Sequence, residues 1–139
     1  MFGGKSLSFP LMVGVLFTLS CGTGDVLFSE SNPSWSGDGQ NISFSSGGDI
    51  YISGTDLLDP VNITDSADPD FEPVWAPDGS WIVYQTKGQY GPEINLISPD
   101  GLTKTNLSSI PAEYYGVVWS PGSDMLAFSS DRVGWKSES

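Results

Sequence analysis

The sequence contains no histidine and a single cysteine, Cys21. The first absence removes every serine–histidine or cysteine–histidine catalytic arrangement, together with the usual imidazole metal ligands. The second excludes a disulfide within one chain and a cysteine-rich zinc site. Basic residues are scarce too: 5 lysines and arginines stand against 17 aspartates and glutamates, a net charge of −12 over 139 residues. That balance repels nucleic-acid backbones and anionic lipid surfaces, so neither is an expected partner. No apolar run reaches the roughly 20 residues that a membrane-spanning helix needs. Turn material is plentiful, with 17 glycines and 10 prolines beside 12% aromatic residues, as in a β-protein with many short connections.

The longest apolar stretch lies near the start. Lys5 precedes Leu11, Met12, Val13, Val15, Leu16, Phe17 and Leu19, interrupted only by Gly14 and Thr18. Its length suits a secretory signal segment over residues 1–20, with Ser20 as the small residue at the cleavage point. Thr18-Leu19-Ser20-Cys21 resembles a bacterial lipobox, although its leucine stands two rather than three positions before the cysteine. The resemblance implies lipidation at Cys21, with ordinary cleavage nearby as the alternative. Several acyl chains anchor a protein stably, and residues 21–31 would then serve as a tether. Val26-Leu27-Phe28-Ser29 within it is a candidate outer strand. The expected location is the periplasm or the outer membrane.

Self-similarity dominates the remainder. The segments 33–44, 73–84 and 117–128 align without gaps, placing tryptophan at 35, 75 and 119. Seven residues after each comes Ile42, Ile82 or Leu126, and two further on Phe44, Tyr84 or Phe128, the alternation of a half-buried strand. Asp38-Gly39 and Asp78-Gly79 supply the positive φ of a tight hairpin between the two strands. Gly122-Ser123 stands there in the third copy, which speaks against Asp38 and Asp78 as metal ligands or catalytic acids. At an offset of 44, Asp49–Ile52 meets Glu93–Leu96 as a third strand, and Asn62–Thr64 meets Asn106–Ser108 as a short fourth. The offset changes from 40 to 44 at Lys87–Pro92, read as a loop four residues longer than its counterpart.

Four short strands in about 40–45 residues mark a propeller blade. The tryptophan-led turn followed by an Ile-x-Phe strand resembles the TolB-type propeller repeat, a relative of WD-repeats also found in prolyl-oligopeptidase-like peptidases. The expected fold is therefore all-β: a partial β-propeller of about two and a half four-stranded antiparallel blades, over 32–64, 72–108 and 116–134. Propellers close with four to eight blades. The chain is thus expected to be a fragment of a longer propeller; a homo-oligomeric ring is the other resolution.

In an antiparallel meander, the linker between blades and the loop between strands two and three open at the same end. This end gathers Asp65, Asp68, Asp70 and Glu72 from one linker and Tyr114 and Tyr115 from the other, Ser109 to Gly116. Lys87, Tyr90, Asp131 and Arg132 join them, and together these residues form the candidate partner-binding surface. Calcium held by Asp65, Asp68 and Asp70 is an alternative, though the spacing matches no EF-hand. Asn41, Asn62 and Asn106 open Asn-x-Ser/Thr sequences and are read as structural, since two of them fill one repeat position. No cofactor is expected and no catalytic residue is assigned. Similarity to TolB implies a non-catalytic envelope protein that contacts other envelope proteins. The alternatives are the truncated propeller domain of a prolyl-oligopeptidase-like peptidase and a ligand- or glycan-binding propeller. The chain lacks histidine and a Gly-x-Ser-x-Gly elbow, so it could not itself perform the peptidase chemistry.

Overall fold

The computed structural model describes residues 31–108 and 112–131. Cys21, the expected signal segment and Arg132 lie outside the described residues. The first blade comprises β1 (Ser31–Trp35), β2 (Asn41–Ser46), β3 (Asp49–Gly54) and β4 (Val61–Asn62). The second comprises β5 (Asp70–Trp75), β6 (Ile82–Gly88), β7 (Gly91–Ile97) and β8 (Lys104–Asn106). A third, two-stranded sheet holds β9 (Tyr114–Trp119) and β10 (Leu126–Ser130). Every neighbouring pair is antiparallel, and strand order follows chain order in each four-stranded sheet. The all-β, blade-wise organisation expected from the repeats is the one the chain adopts.

The blades share a distortion that repeat spacing did not announce. Between Ser31 and Ser34, Phe71 and Val74, and Tyr115 and Val118 the first strand carries one residue more than its partner, a β-bulge. The bulges place Asn32, Glu72 and Gly116 at φ 63°, 54° and 60°. This left-handed backbone disfavours a Cβ, and only the third copy meets it with glycine. Beyond the bulge the pairing resumes. Consequently β5 starts at Asp70 and β9 at Tyr114, each two residues before the expected blade.

The core lies between the sheets. Ile50 and Ile63 of the first blade pack against Trp75, Ile82, Tyr84 and Ile97 of the second. On the opposite face of the second sheet, Val83 and Ile94 pack with Tyr114, Trp119 and Leu126. Consecutive β6 residues thus serve different cores, as the period of two requires. Burying each such aliphatic side chain contributes about 1.5–3 kcal/mol. The indole N–H of Trp119 donates to the Val74 carbonyl at 3.0 Å and ties the third sheet to the second. Trp35, with no described blade outside it, is 51% exposed, against 7% for Trp75.

Candidate interaction site

The end that gathers the linkers is fastened by side-chain bonds that explain the repeated Asn-x-Ser/Thr sequence. The Asn62 amide donates to Asp49 Oδ2 at 2.9 Å, while Asn62 Oδ1 accepts the N–H groups of Thr64 and Asp65. Thr64 Oγ1 in turn accepts the buried Ile50 N–H at 2.9 Å. One blade later the Asn106 amide donates to Glu93 Oε2 at 2.8 Å, and Ser108 Oγ accepts the Ile94 N–H at 3.1 Å. The asparagine clasps the fourth strand to a carboxylate in the first half of the third, and the hydroxyl replaces a missing ladder partner. Thr64→Val keeps the shape but leaves the Ile50 N–H unsatisfied, so it is expected to cost about 1–3 kcal/mol in urea unfolding. The exposed Thr105→Val, outside both clasps, should leave the midpoint in place.

The linker then lies along the hairpins. The Asp70 N–H donates to the Gly48 carbonyl and the Lys87 N–H to the Pro69 carbonyl, both at 2.8 Å. Linker and second hairpin therefore share one end, as the meander argument expects. The supposed loop Lys87–Pro92 is instead a continuation of both strands: Lys87 pairs with Pro92 and Gly88 with Gly91. Only Gln89 and Tyr90 turn. The four additional residues lengthen the ladder by two on each side, because a paired backbone satisfies groups that a loop would leave to water.

Tyr90 stands at the tip of that hairpin, 60% exposed. Behind it, Gly91 at φ 130° lies so near the third blade that a Cβ would fall 2.3 Å from Glu113 Cγ. Glu113 accepts the Tyr115 hydroxyl through Oε2. Its backbone N–H donates to Asp131 Oδ1 at 2.9 Å, and its carbonyl accepts the Asp131 N–H at 3.2 Å. Glu113, Tyr115 and Asp131 are thereby joined within the third blade, and Gly91, next to Tyr90, lies against Glu113. Asp65, Asp68, Glu72 and Lys87 are exposed on the linker and the strands beside it.

Two expected members lie elsewhere. Tyr114 is 7% exposed and belongs to the core, its ring edge-on to Phe128 with centroids 5.5 Å apart. The bulge at Gly116 reverses the alternation, so Tyr115, not Tyr114, faces solvent. Asp70 is 2% exposed. Its Oδ1 accepts the Thr86 hydroxyl and its Oδ2 the Ser66 hydroxyl, each at 2.6 Å. Among the described residues, no three carboxylates come together to hold a metal ion, so the calcium alternative for Asp65, Asp68 and Asp70 has no geometric support. Burial, and secondarily the Asp70 carboxylate, push the Tyr84 hydroxyl up to about 12.

The opposite end is built from one turn used five times. The carbonyls of Ser36, Gly54, Ala76, Ser98 and Ser120 accept the N–H three residues on, at 2.8–3.0 Å. That third residue is left-handed each time: Gly39, Leu57, Gly79, Gly101 and Ser123. The tryptophan-led hairpins predict three of these turns, at 36–39, 76–79 and 120–123. The Pro-Asp-Gly at 99–101 was a visible signal for a fourth, whereas Gly54–Leu57 lacks the glycine that would have marked it. Asp38, Asp78 and Asp100 each accept a neighbouring serine hydroxyl first and a backbone N–H second, which holds their carboxyls below the usual range. A cleft of about 260 Å³ opens between the first two blades here, with Asp38 and Asp78 on its rim.

No family model matches the sequence, and no curated protein matches it. Solved structures do resemble the fold. A TolB candidate from Agrobacterium tumefaciens superposes with a TM-score of 0.65 at 21% identity, over 73% of this chain and 38% of that one. TolB from Acinetobacter baumannii gives a TM-score of 0.62 at 21% identity, over 77% of this chain and 28% of that one. The chain therefore spans between about a quarter and two fifths of the length of these structures. Blade order and these superpositions agree: the chain has the fold of part of a TolB-type β-propeller.

Proposed function

We propose that this chain is part of an exported, non-catalytic β-propeller that binds another cell-envelope protein through the end carrying the blade linkers. The observation that carries this reading is the lengthened second hairpin. It holds Tyr90 out at its tip and is seated on Glu113, which in turn engages Tyr115. Exposed tyrosines held on a rigid ladder make good interface anchors, because little side-chain entropy is lost on binding. The acidic rim of Asp65, Asp68 and Asp131 favours a partner with a basic contact surface. The TolB-type fold, the apolar start and the absence of histidine support an exported binding role over a hydrolytic one. Cys21 would supply a lipid anchor to the same envelope.

The double variant Tyr90→Ala/Tyr115→Ala is expected to weaken capture of an envelope partner by at least about tenfold, the scale of an aromatic anchor. Its circular-dichroism spectrum should match that of the unaltered chain, because both rings are exposed. Undiminished capture by the double variant would refute the assignment of this end.

A further inference from the structure

The cleft of about 260 Å³ at the end opposite the linkers has a four-stranded blade on either side, both wholly within the described residues. Ser36, Asp38 and Asn41 line it from the first blade, Trp75 and Asp78 from the second. Two sets of groups in this lining have bonding capacity that the described residues do not use.

The first is the pair of carboxylates. Asp38 Oδ1 accepts the Ser36 hydroxyl at 2.6 Å and the Gln40 N–H at 3.0 Å. Asp78 Oδ1 accepts the Ser80 hydroxyl at 2.7 Å and its N–H at 3.0 Å. Among the described residues no hydrogen bond reaches either Oδ2. These bonds hold both carboxyls low, so the cleft carries two negative charges at neutral pH. The described cations stand elsewhere: Lys87 on the hairpin at the linker end, and Lys104 donating to the Thr64 carbonyl. Two like charges lining one cleft favour a cation between them.

The second is the indole of Trp75. The residue is 7% exposed, and its Nε1 is buried with no hydrogen-bond partner. One repeat later Trp119 gives the same N–H to the Val74 carbonyl. The counterpart of Val74 in the first blade is Ser34, whose carbonyl accepts the Ser43 hydroxyl at 3.5 Å instead. A buried donor without an acceptor is costly, and native proteins rarely keep one.

We propose that this cleft binds a small hydroxylated organic cation, of the amino-sugar or amino-alcohol class, with its ammonium group between Asp38 and Asp78 and a hydroxyl oxygen accepting the Trp75 N–H. An ammonium group has donors only, so a bare cation would leave the indole unserved. A neutral polyol would leave the carboxylate charges uncompensated. The site lies away from the exposed tyrosines and does not depend on the reading of the linker end.

The test uses the full chain and glucosamine, with glucose and propylamine as controls that lack the charge or the hydroxyls. Glucosamine is expected to bind saturably, at least about tenfold more tightly than either control, and to move the Trp75 indole N–H resonance. Asp38→Asn/Asp78→Asn keeps an acceptor at each Oδ1, so the β-sheet circular-dichroism signal should persist while glucosamine binding falls at least about tenfold. The control ligands decide the proposal even if that variant unfolds, since they act on the unaltered chain. No binding of glucosamine, equal binding of glucose or equal binding of propylamine would each overturn it. So would binding indifferent to the asparagine pair in a folded variant, or saturation that leaves the Trp75 resonance in place.

Discussion

Gly37→Ala and Gly37→Pro are both expected to destabilise the protein by about 2–4 kcal/mol, read as a lowered urea midpoint. In the aligned repeats this position is Pro77 and Pro121, so repeat consensus argues that proline at 37 should help. The packing argues the reverse. A Cβ at Gly37 would fall 1.8 Å from the carbonyl oxygen of Pro77 and 2.8 Å from its carbon, atoms of backbone that cannot swing aside. The first-blade turn would have to lift away from the second, loosening the contact that closes their shared core. Gly39→Ala is the matching control: nothing lies within 4 Å, and only its φ of 69° opposes the change, at a cost of about 1 kcal/mol. Equal effects at 37 and 39, or a gain with proline, would show that the turns do not touch in solution.

Asp70→Ala is expected to cost about 1–3 kcal/mol, because it removes the buried carboxylate that accepts both the Ser66 and the Thr86 hydroxyls and so frees the linker from β6. Asp70→Asn should cost less, since its carbonyl oxygen still accepts one hydroxyl. The asparagine variant also reports on Tyr84. With the Asp70 charge gone, phenolate absorbance should show Tyr84 titrating below about 12 yet still above the ordinary 10.0, because burial is the larger cause. The sign of the pH effect follows. The unfolded chain releases this proton near 10 while the folded chain holds it to about 12, so stability is full below 10 and falls as pH rises through that window. The slope is at most about 1.4 kcal/mol per pH unit. The difference between the protein and its Tyr84→Phe variant isolates it from other alkaline titrations. A difference flat between pH 10 and 12 would contradict the burial of this hydroxyl.

Much of the fold is legible in the sequence. Trp35, Trp75 and Trp119, with the Ile-x-Phe-like strands that follow them, specify hairpins through alternation and turn chemistry, both local properties. The equivalence of Asn62 and Asn106 likewise pointed to a structural role, which the clasps to Asp49 and Glu93 now explain. The candidate site was legible only in outline. Tyr90 could be placed at a hairpin tip because chain order fixes which connections share an end. Tyr114 could not be told from Tyr115, since their facing is set by a bulge at Gly116 that the alternation does not encode.

By itself, then, the sequence determined the all-β repeat, the strand order within it and the tryptophan-led hairpins, because each depends on residue identity or on spacing along the chain. Only the tertiary structure decided which acids face inward, as Asp70 does, and that four residues at 87–92 extend a ladder instead of a loop. It also decided that Gly37 answers to Pro77 in another blade. Those outcomes turn on which backbone groups meet across blades, and such distances are created by packing, not by neighbours in sequence.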